Sequence, residues 1–442
     1  MINNLRQMLR KILSRNIVNR LLLIVHCTLL ITLFYSCSNN EEVFIEPEEV
    51  KKLPVVNVDS MFIQLDQELI AKKAESIDKV FKNLRRKVGF NGTVLYAEQG
   101  RIVYNKAWGF RNVRKRTDSL QVEDRFQLSS VSKMFTAEAI MILKNEGKID
   151  YDVDIREYIP EFPYEGITTR LLLNHRSGLS RYESLADAKW PDRKQPFLNE
   201  DMIQFYVLHK PDPYFKPDRG FNYSNVNYAL LASIVERVSG MSFADYMRIK
   251  IFEPLCMDDS YIYEMRPDTT VSLYIEDIVQ GYYTEKRRPM QAPNEYLNGV
   301  KGDKMMISNT EDMFQFWTAV DYGLLLPDSI QEEAFKPGSP KSKKRKDNYG
   351  FGWRIPDKYP GCYFHYGWWK AYRSFFIRDD VNDKTIIVLT NTSKGPGSDH
   401  FWKIINDKTI TIPQASVNIT YWETQKGSKF PYSSYRERAI KE

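Results

Sequence analysis

The stretch from Ser130 to Asn145 constrains the fold of this 442-residue chain more than any other. Val131, Met134, Phe135, Ala137, Ile140, Met141 and Leu143 recur at helical spacing and leave almost no polar face, and Gly147 supplies a stop. A helix that is apolar on nearly all sides has to be buried on nearly all sides, so other elements must surround it. Strand signals lie toward both ends of the chain. Gly92–Ala97 and Arg101–Trp108 read as two strands around Glu98-Gln99-Gly100, a hairpin. Tyr349–Ile355, Tyr363–Ile377 and Thr385–Thr390 read as strands, the last two joined through Arg378–Lys384. Glu68–Lys87 has the apolar spacing of an amphipathic helix, and Val226–Val238, closed by Gly240, that of a second. Residues 150–260 read mainly as helices and loops. Strands at both ends with helices inserted between them predict an α+β fold: one sheet completed late, with a mostly helical subdomain beside it. No internal repeat is visible, and the 43% hydrophobic, 27% charged composition excludes collagen-like, coiled-coil and wholly disordered chains.

The head of the buried helix carries chemistry. In Ser130-Val131-Ser132-Lys133 the first and last residues, three apart at a helix start, share a face. A lysine amine withdrawn from water holds its proton less firmly and can accept one from a neighbouring hydroxyl. The spelling recurs at Ser76-Ile77-Asp78-Lys79, in a Lys-rich amphipathic helix with no partner motif, which reads as surface. Ser130 has company. Tyr223-Ser224-Asn225 puts a phenol and an amide at the entrance of the Val226–Val238 helix, although Tyr296-Leu297-Asn298 repeats that pattern. His365-Tyr366-Gly367 lies within a predicted strand, where glycine allows close backbone approach to a ligand. Each motif is weak alone; three in this order are much less easily dismissed.

Taken together, Phe126-Gln127-Leu128-Ser129-Ser130-Val131-Ser132-Lys133-Met134-Phe135-Thr136, Tyr223-Ser224-Asn225 and His365-Tyr366-Gly367 resemble the serine hydrolases related to class C β-lactamases and D-alanyl-D-alanine carboxypeptidases. Leu172–Leu179, Gly352-Trp353 and Gly302–Ser308 are similar to landmarks of that family, with Lys304 and Met305 replacing glycines often found there. The resemblance spans about residues 75–410. It implies an antiparallel sheet with helices on both faces and a mostly helical region, the site lying between them. Ser130 would be the acyl-accepting nucleophile, and Lys133 and Tyr223 would share proton transfer, either being the base. Asn225 would bond the substrate amide or Lys133. The N–H groups of Ser130 and Trp368 would form the oxyanion hole. His365 stands where many relatives have Lys and, with Gly367, would line the substrate site. Where relatives that bind a substrate carboxylate place hydroxyl residues, this chain has Tyr366 and Trp368. Trp368, Trp369 and Tyr372 would build an aromatic wall or merely pack the strand, and Arg373 or Lys370 could replace the lost anion contact. This favours an ester, amide or D-amino-acid peptide over an efficiently hydrolysed β-lactam. His175 is expected to stabilise its loop.

Charge marks an address. Of the net +6, five positive charges (Arg6, Arg10, Lys11, Arg15, Arg20) fall in residues 1–36, which hold no acidic residue. Leu21–Tyr35 follows, apolar and uncharged; as a helix it would be roughly 22 Å long against a bilayer core of roughly 30 Å. A basic region, a short apolar region and a small residue form a secretory signal, and Ser36-Cys37-Ser38 resembles a bacterial lipoprotein cleavage site, with Cys37 lipidated. The alternative is an uncleaved anchor helix; either way the remainder is exported. The expected organisation is a signal peptide at 1–36, a tether at 37–70, a hydrolase domain at 71–410 and a C-terminal extension of unknown role at 411–442. The acidic residues after Cys37 resemble surface-export signals of some Gram-negative lipoproteins. The membrane, through the lipid, and a small-molecule or peptide substrate are thus the expected partners.

Other function classes find little support. Lys341–Lys346 (KSKKRK) reads as a solvated loop in an exported chain rather than a nucleic-acid contact. The four histidines outside the signal form no ligand-spaced cluster and no glycine-rich phosphate loop occurs, so neither metal nor other cofactor is expected. Of four cysteines, Cys27 and Cys37 belong to the export region; a Cys256–Cys362 disulfide is the less favoured reading. The rival from another class is a catalytically silent lipoprotein binding cell-wall peptides, glycans or β-lactams. A pure binder has no need of a paired Ser and Lys.

Overall fold

The computed structural model describes residues 67–342 and 344–412. The export segment, Cys37, most of the tether and the chain from 413 lie outside the described residues. The amphipathic helix α1 runs Gln67–Val88, so residues assigned to the end of the tether already belong to the domain. At the other end Ile412 is still anchored, its N–H donating to Glu98 Oε1 at 3.0 Å.

Strands β1 (Gly92–Glu98) and β2 (Arg101–Trp108) form the expected hairpin. Helix α2 (Ser132–Asn145) follows a 3-10 turn at Ser129–Val131. The helical region includes α3 (Tyr182–Lys189) and α4 (Asn225–Ser239), and α4 stops at Gly240, whose φ of 72° suits a helix C-cap. After α5 (Thr310–Asp321) come β3 (Asp347–Tyr349), β4 (Arg354–Pro356), β5 (Cys362–Trp369), β6 (Tyr372–Asp379), β7 (Lys384–Thr390) and α6 (Ser398–Ile405). The sheet order is β3-β4-β5-β6-β7-β1-β2, antiparallel at each pairing. The last strand to be made lies beside the first, Gly92 opposite Thr390, which is the late completion expected.

Two strand boundaries are corrected. Tyr349–Ile355 is a turn between β3 and β4, not one strand. Gly352 takes φ 80° there and lies so close to α2 that a Cβ would come 2.8 Å from the Met134 Cα. Tyr363–Ile377 is likewise two strands, reversed at Lys370-Ala371 with Lys370 at φ 52°.

Strand alternation divides the core. Phe375 on β6 meets Phe401 of α6, which stacks at 6.2 Å on Phe81 of α1. Its neighbour Phe376 turns to the opposite face, against Trp317 of α5, while Phe316 packs at 3.9 Å on Phe135 of α2. Helices α1 and α6 thus cover one face and α2 and α5 the other. Every residue of α2 from Ser132 to Leu143 is buried, as its all-round apolar pattern requires. A small sheet of Phe126–Gln127, Met306–Ser308 and Tyr261–Ile262 lies beside the entrance to α2. Lys341–Lys346 belongs to a loop whose described residues are mostly exposed, and Cys256 and Cys362 are both free thiols.

Candidate active site

The turn presenting Ser130 is clamped before and after. Leu128 N–H donates to the Met306 carbonyl at 2.9 Å, and Ser374 Oγ donates to the Leu128 carbonyl. Ser129 then takes φ 52°, a left-handed conformation rare outside glycine, and Ser132 Oγ accepts the Met306 N–H at 3.2 Å. Between these anchors Ser130 is half-buried and its hydroxyl bonds no described residue. Its N–H is a first-turn amide, which has no acceptor within its own helix.

One turn on, Lys133 is fully buried, and its Nζ donates to Asn225 Oδ1 at 2.9 Å and to the Asp303 carbonyl at 2.6 Å. Two acceptors occupy two amine positions and leave one for exchange with a hydroxyl. Asn225, at the first turn of α4, bonds Lys133 through its oxygen, and its Nδ2 donates to Glu183 Oε1 at 2.6 Å. Two residues earlier, Tyr223 has its ring 5.2 Å from Lys133 Nζ, and its buried hydroxyl has no partner among the described residues. His175 packs at 4.4 Å on the Tyr223 ring. The His175 carbonyl accepts Asn222 N–H and its Nδ1 accepts from Asn227 Nδ2, so it braces the loop as expected.

Strand β5 closes the site. Gly367 crosses the Ser130 turn so tightly that a Cβ would lie 2.3 Å from the Leu128 carbonyl oxygen and 3.0 Å from Ser129 Cβ. The pair closing a two-residue hairpin, here Trp369 opposite Tyr372, is hydrogen-bonded, and bonded pairs alternate along the ladder. Trp368 opposite Arg373 is then a non-bonded pair, and its N–H turns away from β6 to the edge that β4 leaves open beyond Arg354–Phe364. Both expected oxyanion donors are therefore unspent.

His365 is revised. Its ring is fully buried, with Nδ1 2.9 Å from the Tyr366 carbonyl and Nε2 2.9 Å from Tyr349 OH, so neither nitrogen is free to meet a substrate. The carbonyl fixes the proton on Nδ1, and Nε2 accepts from the phenol. Burial, reinforced by the charges of Lys133 and Arg354, holds His175 and His365 well below the ordinary histidine range. Both are neutral.

The expected aromatic wall is also divided. Gly367 and Trp369 face α2, whereas Tyr366 and Trp368 alternate to the α6 face, where Tyr366 OH accepts Trp402 Nε1 at 2.5 Å. Trp368 is 70% exposed, its side chain on the face away from α2. Trp369 remains, its Nε1 donating at 2.7 Å to Asn298, the amide of the second Tyr-x-Asn. Lys370 pairs with Glu295, and Arg373 donates to the Pro396 carbonyl at 2.9 Å on the far face. The first Ser-x-x-Lys spelling lies on α1, with Lys79 exposed and paired with Glu75.

Sequence reasoning missed Glu183, Asp303 and Arg354. Arg354 lies 4.8 Å above the Tyr223 ring and donates to Asp347 Oδ2 at 2.6 Å. Its signal was its position directly after Gly352-Trp353, and that of Asp303 its place in the Gly302–Ser308 stretch; Glu183 had none.

A hydroxyl at a clamped helix entrance, a buried lysine, an unpartnered phenol and two outward N–H groups define the class of active-site serine hydrolases with the β-lactamase/transpeptidase fold. A family model described as Beta-lactamase matches residues 77–407. The chain is 34% identical over 333 residues to penicillin-binding protein 4* of Bacillus subtilis (strain 168), covering 72% of each. It is similar in structure to the octameric penicillin-binding protein homologue from Pyrococcus abyssi, with a TM-score of 0.64 and 25% identity over 80% of each chain. The D-amino acid amidase from Ochrobactrum anthropi SV3, complexed with L-phenylalanine amide, shares the fold at a TM-score of 0.60 and 22% identity, covering 73% of this chain and 91% of that one. The chain belongs to the beta-lactamase family, as a serine hydrolase of the β-lactamase/transpeptidase type.

Proposed function

We propose that this serine hydrolase works through an acyl-enzyme on a small ester, amide or D-amino-acid-containing peptide. Ser130 Oγ attacks the substrate carbonyl carbon and passes its proton to the Lys133–Tyr223 pair, which delivers a proton to the leaving group. The oxygen anion of the tetrahedral intermediate lies between the N–H groups of Ser130 and Trp368. Water then attacks the acyl carbonyl, its proton passing to the same pair, which returns a proton to Ser130 Oγ as the acyl–Oγ bond breaks and the acid is released. The observation that carries this reading is the Tyr223 hydroxyl, buried without a partner among the described residues, on a ring whose centroid lies 5.2 Å from Lys133 Nζ. An unsatisfied buried hydroxyl costs about 1–3 kcal/mol; a substrate that bonds it offsets that cost.

Two features support a neutral acyl donor over a carboxylate-bearing one. Lys370 and Arg373 are both engaged elsewhere. Trp369 leaves an aromatic surface at the β5 end, and the amidase among the structural relatives accords with an amide substrate. Covalent labelling by a fluorescent phosphonate, lost in Ser130→Ala, tests the mechanism. Wild-type protein that never labels and turns over no activated ester would sink it. Saturable ligand binding that survives Ser130→Ala without turnover points instead to a silent binder.

The proposal includes export and a lipid on Cys37, anchoring the chain in the bacterial cell envelope at the outer membrane. The basic, then apolar, segment before Cys37 supports this. Mass spectrometry of protein from an exporting host should find a chain beginning at a lipidated Cys37; an intact, unlipidated N-terminus overturns it.

A further inference from the structure

The Tyr223 ring has two basic side chains from different elements close to it. Lys133 Nζ of α2 is 5.2 Å from its centroid and the Arg354 guanidinium of β4 is 4.8 Å away. The remaining titratable neighbours come from every element packed on the ring. His175 follows the Thr169–Leu173 helix, Tyr228 is on α4, Tyr349 is on β3 and His365 is on β5. None of these four carries charge at neutral pH: burial holds both imidazoles neutral and pushes the Tyr228 and Tyr349 phenols well up. Apart from Lys133, Arg354 is thus the charge that the phenol meets in this cluster, and its guanidinium donates to Asp347 Oδ2 at 2.6 Å.

We propose that Arg354 is a positioning residue that tunes proton transfer in the Lys133–Tyr223 pair by placing a fixed positive charge against the Tyr223 ring. A guanidinium does not give up its proton under enzymatic conditions, so this charge is constant across the working pH range. A fixed positive charge opposes a second positive charge and attracts a negative one, so at 4.8 Å from the ring it bears on any proton that moves within the pair. This is so whichever of the two is the base. The side-chain contacts of Arg354 are with Asp347 and the Tyr223 and Tyr349 rings, and it acts through Tyr223.

The inference rests on the proposed acyl-enzyme chemistry, and the test separates the two. The full-length, detergent-solubilised chain and its variants are assayed for p-nitrophenyl ester hydrolysis between pH 5 and 9, alongside phosphonate labelling. In Arg354→Met the acid limb of kcat/KM moves up by about one pH unit, about a tenfold loss at a fixed pH on the limb. Arg354→Lys, which restores a cation, brings the limb back toward the wild-type position. Asp347→Asn relieves the guanidinium of its counter-charge and moves the limb to lower pH, which decides the matter should Arg354→Met fail to fold. A labelled Arg354→Met protein with an unmoved limb overturns the inference and leaves the hydrolase reading standing, as does an Asp347→Asn limb that stays or rises. Wild-type protein without Ser130-dependent labelling overturns both.

Discussion

Gly367 measures how closely the site is built. A Cβ there would come 2.2 Å from Ser374 Oγ and 2.3 Å from the Leu128 carbonyl oxygen, atoms already bonded to each other. Gly367→Ala should therefore force β5 off the Ser130 turn and carry the Trp368 N–H with it. The expected outcome is a loss of about 1–3 kcal/mol in chemical denaturation, with phosphonate labelling of the folded fraction slowed by about 10²-fold or more. Labelling that falls only in step with folded protein would reduce Gly367 to packing. Ser130, Lys133, Tyr223 and Asn225 were legible because the chemistry demands those residue types in short, ordered motifs. Arg354 and Glu183 were not, being single charges among 63 basic and 57 acidic residues. Asp303 reaches Lys133 through a backbone oxygen, which no side chain spells.

Among the elements, α2 was legible from its pattern, yet besides Lys133 it hides a second charged-type residue that breaks the pattern. Glu138 is 2% exposed and its Oε2 accepts from Gln331 Nε2 at 3.2 Å. Burial pushes its carboxyl up to about 8. The folded state therefore binds this proton more tightly than the unfolded chain. The stability Glu138 confers is fully present below about pH 4.5, the unfolded value, and is lost as pH rises through about 8. Relative to Glu138→Gln, the wild type should lose roughly 3–5 kcal/mol between pH 5 and 8.5. Parallel denaturation curves across that range would refute it. The β5–β6 hairpin shows the opposite failure. Trp369-Lys370-Ala371-Tyr372 contains no Gly, Pro, Asn or Asp, so the sequence reads through it as one strand. The reversal depends on Lys370 accepting φ 52°, a strain compensated by pairing on both sides.

At the scale of the whole molecule, one buried pair ties the helical region to the sheet. Lys304 Nζ donates to Tyr182 OH of α3 at 2.6 Å, lies 3.3 Å from Asp303 Oδ1 and sits 4.9 Å from the Trp369 ring of β5. Burial outweighs pairing in both partners, pushing Asp303 above and Lys304 below their ordinary ranges. Lys304→Met strands the Asp303 carboxylate and should cost about 3–5 kcal/mol in urea denaturation, whereas Lys304→Met with Asp303→Asn should recover most of it. Equal losses in the single and double variants would show that the pair is not the source. The substitutions of family glycines by Lys304 and Met305 were visible in the sequence. The accommodation was not: a left-handed Met305 at φ 72° and a cation folded under Trp369.

By itself the sequence determined the buried helix, the sheet's late completion, the order of the motifs and the class of chemistry, because these follow from periodicity and residue type along the chain. Only the tertiary structure decided which groups meet. Lys133, Asn225 and Glu183 are linked by hydrogen bonds, Arg354 and Lys133 both come close to the Tyr223 ring, and His365 is buried with both nitrogens engaged. Direction of side chain and distance through space depend on register and packing between segments far apart in the chain. Local pattern carries no record of either.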